Sequence, residues 1–386
     1  MTIKRRRFAL AAASTAMAAP ALTGPALIGS ARGQDIASIV LRSNRATYRL
    51  VTMATGLVQP WSIAFLPDSR LLITERPGRL RIFANGSLSR AAVSGVPEVY
   101  ASGQGGLLDV CLHPNFAQNK LIYLSYADGA GSEVATTVAR AEWTEGGLRN
   151  VSVIFRGSPV AGGLHFGSRI AFDRAGLMYV TCGERYQMKR AQDLNDLAGK
   201  VIRLKDDGRV PPDNPFVGKP GARPEIFTWG HRNPQGLTIH PETGRIWEVE
   251  HGPRGGDELN LLKPGANYGW PLATYGIDYN GSIISPNKTL PGMEDPVRYW
   301  VPSISPCGLV FYSGDKFPGW KGSLFTGALS SFALYRIELD GEKWRSEELL
   351  VEGRLPYIRD VRQGPDGLLY LVTQSENGSL YRLEPV

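Results

Sequence analysis

A chain of 386 residues with 42% hydrophobic and 20% charged residues can bury a large core, which excludes a disordered or collagen-like polymer. The formal charge of +7 is concentrated at one end: Lys4, Arg5, Arg6 and Arg7 supply four positive charges, and the remaining excess of about +3 is too dilute to argue for nucleic acid as a partner. With 45 Gly and 27 Pro the chain favours turns and short strands over long helices, and three widely spaced cysteines (Cys111, Cys182, Cys307) fit neither a disulfide framework nor a zinc site.

The first element in chain order is an address. Arg5-Arg6-Arg7-Phe8 precedes an alanine-rich apolar run to about Ile28, and Gly29-Ser30-Ala31 offers small residues for cleavage. This predicts an export signal of twin-arginine type over residues 1–31 and a periplasmic destination. Pro20 and Pro25 suit a spanning helix poorly, so no membrane span is expected in the mature chain.

From about residue 40 the chain repeats. Pro60-Trp61-Ser62-Ile63-Ala64-Phe65 runs into the turn Pro67-Asp68-Ser69-Arg70 and then Leu71-Leu72-Ile73-Thr74. The same strand–turn–strand unit begins again near Gly106, Ser168, Gln235, Gly308 and Arg359, and most units continue into a third strand such as Arg79-Leu80-Arg81-Ile82. Alternation with period two signals strands, and clusters of Pro, Asp and Gly signal hairpin turns. Six such units point to an all-β, six-bladed β-propeller over residues 40–386, with insertions at 183–198 and 265–305.

The polar residues concentrate between Trp229 and Pro271. The stretch holds Arg232, Asn233, Gln235, Asp257 and Glu258 among many Gly and Pro residues, a composition poor for a core and suited to ligand-facing loops. Arg232, Asn233 and Gln235 could hold a planar, oxygen-rich anion through forked hydrogen bonds. Sharp turns at Gly252-Pro253 and Gly255-Gly256 leave carbonyls free for a hard cation such as calcium. A solvated glycine-rich surface loop is the competing reading.

Taken in order, Gly103-Gln104-Gly105-Gly106, His165-Phe166-Gly167, Gly230-His231-Arg232-Asn233-Pro234-Gln235, Glu250-His251-Gly252-Pro253-Arg254-Gly255-Gly256-Asp257-Glu258, Asn267-Tyr268-Gly269-Trp270 and Ile358-Arg359-Asp360-Val361 resemble the soluble quinoprotein glucose dehydrogenases, more closely their aldose sugar dehydrogenase branch. The resemblance implies a six-bladed propeller that uses pyrroloquinoline quinone and Ca2+ to oxidise an aldose sugar. It implies His165 as general base toward the anomeric hydroxyl and Arg232 as the cation opposing charge on the quinone. Gln104, Asn233, Gln235 and Arg359 then belong to the cofactor site. Gly252 and Pro253 match a calcium seat, and Glu258 and Tyr268 a second, structural one. A monomer or weak homodimer with a separate electron acceptor is expected.

Three positions depart from the family pattern. Ser330 stands where a lysine is usual, Tyr357 where an arginine is usual, and Leu164 where the glucose enzymes carry an acid. The first two predict a weaker grip on cofactor carboxylates unless Arg185, Lys189 or Arg190 compensates; the third predicts a looser sugar preference. Among other residues, His113 and His240 are expected in exposed turns, His251 as a turn residue and His231 as packing. Asp193 and Asp196 are expected as solvated loop charges. Trp61, Trp229 and Trp270 are either stacking platforms or wedges between blades. A calcium-dependent propeller lactonase and a noncatalytic sugar- or protein-binding propeller are the alternative functions.

Overall fold

The computed structural model describes residues 37–386, so the leader expected over 1–31 lies outside the described residues. These residues form six antiparallel sheets, with helix limited to Phe116–Asn119 and two short 3-10 turns. The first strands of the six units, Pro60–Phe65, Leu107–Leu112, Ile170–Phe172, Pro234–Ile239, Pro306–Phe311 and Ile358–Gln363, contact one another in order and close into a ring. Each therefore begins one blade of a six-bladed propeller, as the repeats predict. Five blades are consecutive four-stranded sheets. The sixth takes strands from both ends of the described chain: Thr47–Leu57 pairs with Gly378–Pro385, and Ser38–Arg42 adds the outer edge.

The turns show why the sequence folds this way. Asp173 Oδ1 accepts the backbone N–H groups of Ala175 and Leu177, both at 2.9 Å, and Gly176 adopts φ +77° between them. Asp366 does the same for Leu368 at 3.1 Å, and Asp68 for Arg70 at 3.1 Å. A short side chain that mimics a backbone acceptor thus reverses the chain and sets the hairpin register.

The core is divided among the seams between blades. Trp320, Phe325 and Leu334 of the fifth blade pack on Ile358, Leu369 and Leu383 of the sixth, and every other pair of neighbouring blades has its own buried cluster. Truncating one such aromatic to Ala costs roughly 3–5 kcal/mol. At the axis a polar plug joins the blades. Arg169, 1% exposed, lies 3.0 Å from Asp360 and donates to the carbonyls of Gln235 at 2.8 Å and Arg359 at 3.0 Å. Asp109 accepts from Ile170 N–H at 2.8 Å and from Arg362 at 3.2 Å.

Two features prepare the site. Five of the six innermost strands carry a register shift near their first residues, between Pro60 and Ser62, Leu107 and Val110, Pro234 and Gly236, Cys307 and Val310, and Ile358 and Asp360. Such bulges re-aim the side chain beside them. The second feature is the pair of expected insertions. The first carries the 3-10 turn Met188–Gln192; the second joins Asp257–Leu262 to Arg298–Trp300, which is the outer strand of the fourth blade, so it is shorter than the expected 265–305.

Candidate functional site

A cavity of about 280 Å³ opens where the innermost strands begin. Its lining follows the repeat. Trp61, Leu108, Gln235 and Arg359 are each the second residue of an innermost strand, beside its bulge. Arg76, His251, Leu329 and Gln374 are each the first residue beyond the second strand of a blade. Two positions of the repeat therefore build much of the wall, and the first, fourth and sixth blades contribute both. Gln104, Gly167, Asn233 and Tyr279 add to it from loops, and no carboxylate side chain is among the lining residues.

Of the residues singled out from sequence, Gln104, Asn233, Gln235 and Arg359 share this one cavity. Arg359 donates from Nη1 to Gln235 Oε1 at 2.8 Å and from Nε to Gln374, so three lining residues fix one another. Gln235 Nε2 donates to Asn233 Oδ1 at 3.1 Å, and Asn233 Oδ1 also accepts the Gly167 N–H at 3.2 Å. Trp61 lies under the guanidiniums of Arg169 and Arg359, 3.9 and 5.8 Å from its ring centre, and faces the cavity. Trp229 and Trp270 do not line it; Trp229 donates to the Gly265 carbonyl and Trp270 lies under Arg232.

His165 stands just behind the wall. Its backbone N–H donates to Gln104 Oε1 at 2.8 Å, and the next residues, Phe166 and Gly167, line the cavity. The residue holds φ +50°, and its imidazole is 5% exposed, with the Tyr186 ring edge-on at 5.2 Å. Its Nδ1 lies 3.1 Å from Glu184 Oε1, oblique to a good hydrogen bond. Burial lowers the pKa of His165; Glu184 opposes that shift, while Arg232 and Arg185 reinforce it. The outcome is a neutral imidazole at pH 7. Gly183 is obligatory here, because a Cβ on it would sit 2.2 Å from the His165 carbonyl oxygen.

Arg232 lies on the other flank. Its Nη1 donates to the carbonyls of His251 at 3.0 Å and Gly252 at 2.6 Å, and its Nη2 to Tyr279 Oη at 3.3 Å. Gly252 and Pro253 border an adjoining recess of about 580 Å³ that shares His251, Tyr279 and Ser305 with the main cavity. Ser303 Oγ donates to the Pro253 carbonyl at 3.2 Å. Asp257 organises this turn by accepting the N–H groups of Gly252, Ile304 and Ser305 at 2.7–2.8 Å. Burial raises its pKa to about 6 despite those bonds.

On the far side of Arg232, Glu258 and Tyr268 meet in a void of about 10 Å³, with Glu250, Gly256 and Thr274. Behind it Glu248, Glu250 and His231 place ligand atoms within 4.8 Å of one another. Burial and the neighbouring Glu250 push the Glu258 carboxyl well up, and burial, with Glu250, lifts Glu248 to about 7. Burial alone would lower His231, but Glu250 and Glu248 raise it to about 9. Three carboxyls faced by one imidazole leave an acid excess suited to a hard cation. The Tyr268 hydroxyl is committed to the Leu261 carbonyl and the Lys263 N–H, so only the backbone of that residue is left to offer a cation an oxygen.

Several sequence expectations need correction. His251 is not a simple turn residue: it lines the cavity and its Nε2 donates to the Pro306 carbonyl at 3.1 Å. His113 is buried, stacked against Tyr123, and its Nδ1 accepts the Asn115 N–H. His240 is half-buried against Phe311. His231 does pack, stacked on Tyr268 at 4.7 Å, and it also belongs to the acidic cluster. Asp196 is paired with Arg190 at 2.5 Å instead of being solvated. In agreement with their spacing, all three cysteines are free thiols, with Cys182 and Cys307 buried. Sequence reasoning missed Arg76, Gln374, Tyr279 and Glu184. The first two were recoverable by aligning the blades, since they occupy the same place in the repeat as His251.

Comparison with known proteins places this arrangement. The family described as Glucose / Sorbosone dehydrogenase matches residues 57–382. The aldose sugar dehydrogenase YliI of Escherichia coli is 44% identical over 347 residues, covering 88% of this chain and 94% of its own. The crystal structure of the soluble Escherichia coli aldose sugar dehydrogenase in its apo-form superposes with a TM-score of 0.85 at 43% identity, over 88% of this chain and 100% of that one. The PQQ-bound form of the Streptomyces coelicolor aldose sugar dehydrogenase does so with a TM-score of 0.74 at 30% identity, over 91% and 98%. The chain thus belongs to the glucose/sorbosone dehydrogenase family.

Proposed function

We propose that this protein is an exported aldose dehydrogenase that oxidises the anomeric carbon of a sugar to a lactone, with pyrroloquinoline quinone and Ca2+ as cofactors. One observation carries the proposal: a cavity walled by Gln104, Asn233, Gln235 and Arg359, free of carboxylates, with a neutral buried imidazole at its edge. The donor set suits the cofactor, because amides and guanidiniums pair with carboxylate and quinone oxygens. The Gly252 and Pro253 carbonyls are hard donors suited to calcium. Arg232 already holds the Gly252 carbonyl, so a cation there would draw that oxygen away from the guanidinium. The Glu258 cluster would take a second ion.

His165 takes the proton from the anomeric O–H as the C–H bond gives up its hydride, leaving the carbonyl of the lactone. Pyrroloquinoline quinone, when bound, would supply the two-electron acceptor for that hydride, and calcium would supply electron withdrawal. Gln104 fixes the backbone of the base, and Glu184 stands beside its Nδ1. Arg232, buried and desolvated, offers fixed positive charge against the negative charge that hydride transfer creates. Arg359, Gln235 and Asn233, which lock one another, orient the cofactor. A separate electron acceptor completes turnover.

Support for export comes from the arginine-rich leader, read as a twin-arginine signal with a periplasmic destination. Among the described residues no helix is long and apolar enough to cross a membrane. The mature protein is proposed to be a monomer or weak homodimer.

The test is reconstitution. Purified protein with the quinone and calcium should reduce an artificial electron-accepting dye when an aldose is added, and the cofactor absorbance should change on adding sugar. Hydrolysis of a lactone without quinone, and no dye reduction with it, would replace this reading with a hydrolase.

A further inference from the structure

The two charges absent at positions 330 and 357 are not replaced by the third-blade loop. Ser330 Oγ donates to the Ser303 carbonyl, and Tyr357, 46% exposed, meets Phe332 edge-on at 5.1 Å. Arg185 is consumed by the carbonyls of Leu164, Val134 and Gly162 and by stacking on Phe166. Arg190 is paired with Asp196, and Lys189 borders a separate groove with Tyr186 and Leu272.

Among the described residues, the only cationic side chains on the cavity wall are Arg76 and Arg359. They come from neighbouring blades, the first and the sixth. Arg76 follows directly on the strand Leu71–Glu75 and is held rigidly from behind: Nε donates to the Gly105 carbonyl at 2.9 Å and Nη2 to that of Gly103. Its own carbonyl accepts the Leu107 N–H at 3.0 Å, and a Cβ on Gly106 would sit 2.1 Å from that oxygen. The guanidinium is therefore fastened to the loop that carries Gln104. Among the described residues Arg76 Nη1 and Arg359 Nη2 have no hydrogen-bond acceptor.

Two guanidiniums that share a small cavity without a carboxylate repel each other and lose water, unless an anion bridges them. Burial, with Arg359 as the nearest like charge, accordingly pulls the Arg76 pKa down to about 10. We propose that Arg76 and Arg359 form a two-guanidinium clamp for carboxylates of the bound quinone, with Arg76 supplying a contact that positions 330 and 357 do not. This rests on the cofactor assignment above. The chemistry required of the ligand is at least two acidic groups on a rigid frame, which the tricarboxylic quinone provides and a neutral aldose does not. An acidic sugar would share part of that chemistry, and the experiment separates the two.

The full-length protein and its Arg76→Gln and Arg76→Lys variants would be titrated with the quinone in calcium, following quenching of tryptophan fluorescence, since Trp61 lines the same cavity. The titration would be repeated with the three monomethyl esters of the quinone. Losing one charge-assisted contact should weaken binding of the tri-acid by about 10- to 100-fold in Arg76→Gln, with Arg76→Lys intermediate. For one of the esters the gap between wild type and Arg76→Gln should close. Equal affinity of wild type and Arg76→Gln for the tri-acid overturns the clamp. So does an equal loss with the acid and every ester, which would mark Arg76 as only a brace for the Gln104 loop. Glucuronate that protects the cofactor-free wild type in a thermal melt, but not Arg76→Gln, assigns the anion to the substrate and overturns it too. Failure of the wild type to bind quinone removes the cofactor assignment itself, an outcome distinct from the others.

Discussion

At the scale of single residues, the proposed chemistry rests on an imidazole kept neutral by burial. Replacing His165 with Ala should lower turnover by about 100- to 10,000-fold while quinone affinity stays nearly constant, because a base acts on the transition state and not on the cofactor seat. Steady-state assays alongside cofactor titrations check both halves. Since burial lowers the His165 pKa, the acid limb of kcat/KM should fall below pH 6.5. Glu184→Gln removes the neighbour that raises it, so the limb should move further toward acid; a limb that moves upward contradicts the pairing. How well sequence located these groups varied with their setting. Gln104, Asn233, Gln235 and Arg359 stand in dense motifs and were legible. Arg76 and Gln374 were not, because each looks like the ordinary polar exit of a strand until ring closure brings the exits of the first and sixth blades to one cavity. His113 was misread for a related reason. Its turn is polar and Pro-rich, but Tyr123 and Phe172 of adjacent blades close over the ring.

Among elements, the loops on the third and fourth blades flank the candidate site, and both are held by buried polar groups. Lys200 is fully buried, and its Nζ donates to the carbonyls of Arg190, Ala191 and Ala198 at 2.6–3.1 Å, fastening the 3-10 turn Met188–Gln192. Lys200→Met should leave the Ala198 carbonyl unpaired, because those of Arg190 and Ala191 still accept the N–H groups of Asp193 and Gly230, and should destabilise the fold by about 1–3 kcal/mol, the usual cost of an unsatisfied buried group, read from urea unfolding. The acidic cluster of the fourth blade gives a pH signature. Glu248, raised to about 7, contributes stability that is full below its ordinary value near 4.5 and lost as pH climbs through 7. His231, raised to about 9, contributes fully below 6.5 and loses that only as pH passes 9. From pH 7 upward the cluster therefore carries more uncompensated negative charge than at pH 5.5, and more again once His231 loses its proton above about 9. Calcium should raise the melting temperature more at pH 8 than at pH 5.5, where protons occupy Glu248, and the shift should grow with free calcium. Equal shifts at the two pH values, or none in excess chelator, would remove the metal assignment there. Strand and turn positions were legible because period two and Asx turns are local; Glu258 was singled out by its motif, but its neighbours Glu248 and Glu250 were not, because they read as alternating strand residues.

For the whole molecule, sixfold repetition was legible from spacing alone, whereas the make-up of the last blade was not. Its outer strands come from the region before residue 60, where no turn signal marks a repeat. That arrangement has a consequence for the order of events in the cell. The strand Gly378–Pro385 lies between Thr47–Leu57 and Leu369–Thr373, so the sixth blade has no middle until that strand has been added. Contacts this distant in sequence form late and slowly. Arg359 and Gln374, both upstream, are held in place only once that strand arrives. The proposed cofactor seat therefore cannot form until that strand has joined the blade, and loading must follow that step. A chain ending at residue 377 should bind no quinone and be digested rapidly by protease, even though it retains every residue assigned to the site. Supplying residues 378–386 as a separate peptide should recover binding if a missing clasp is the whole defect.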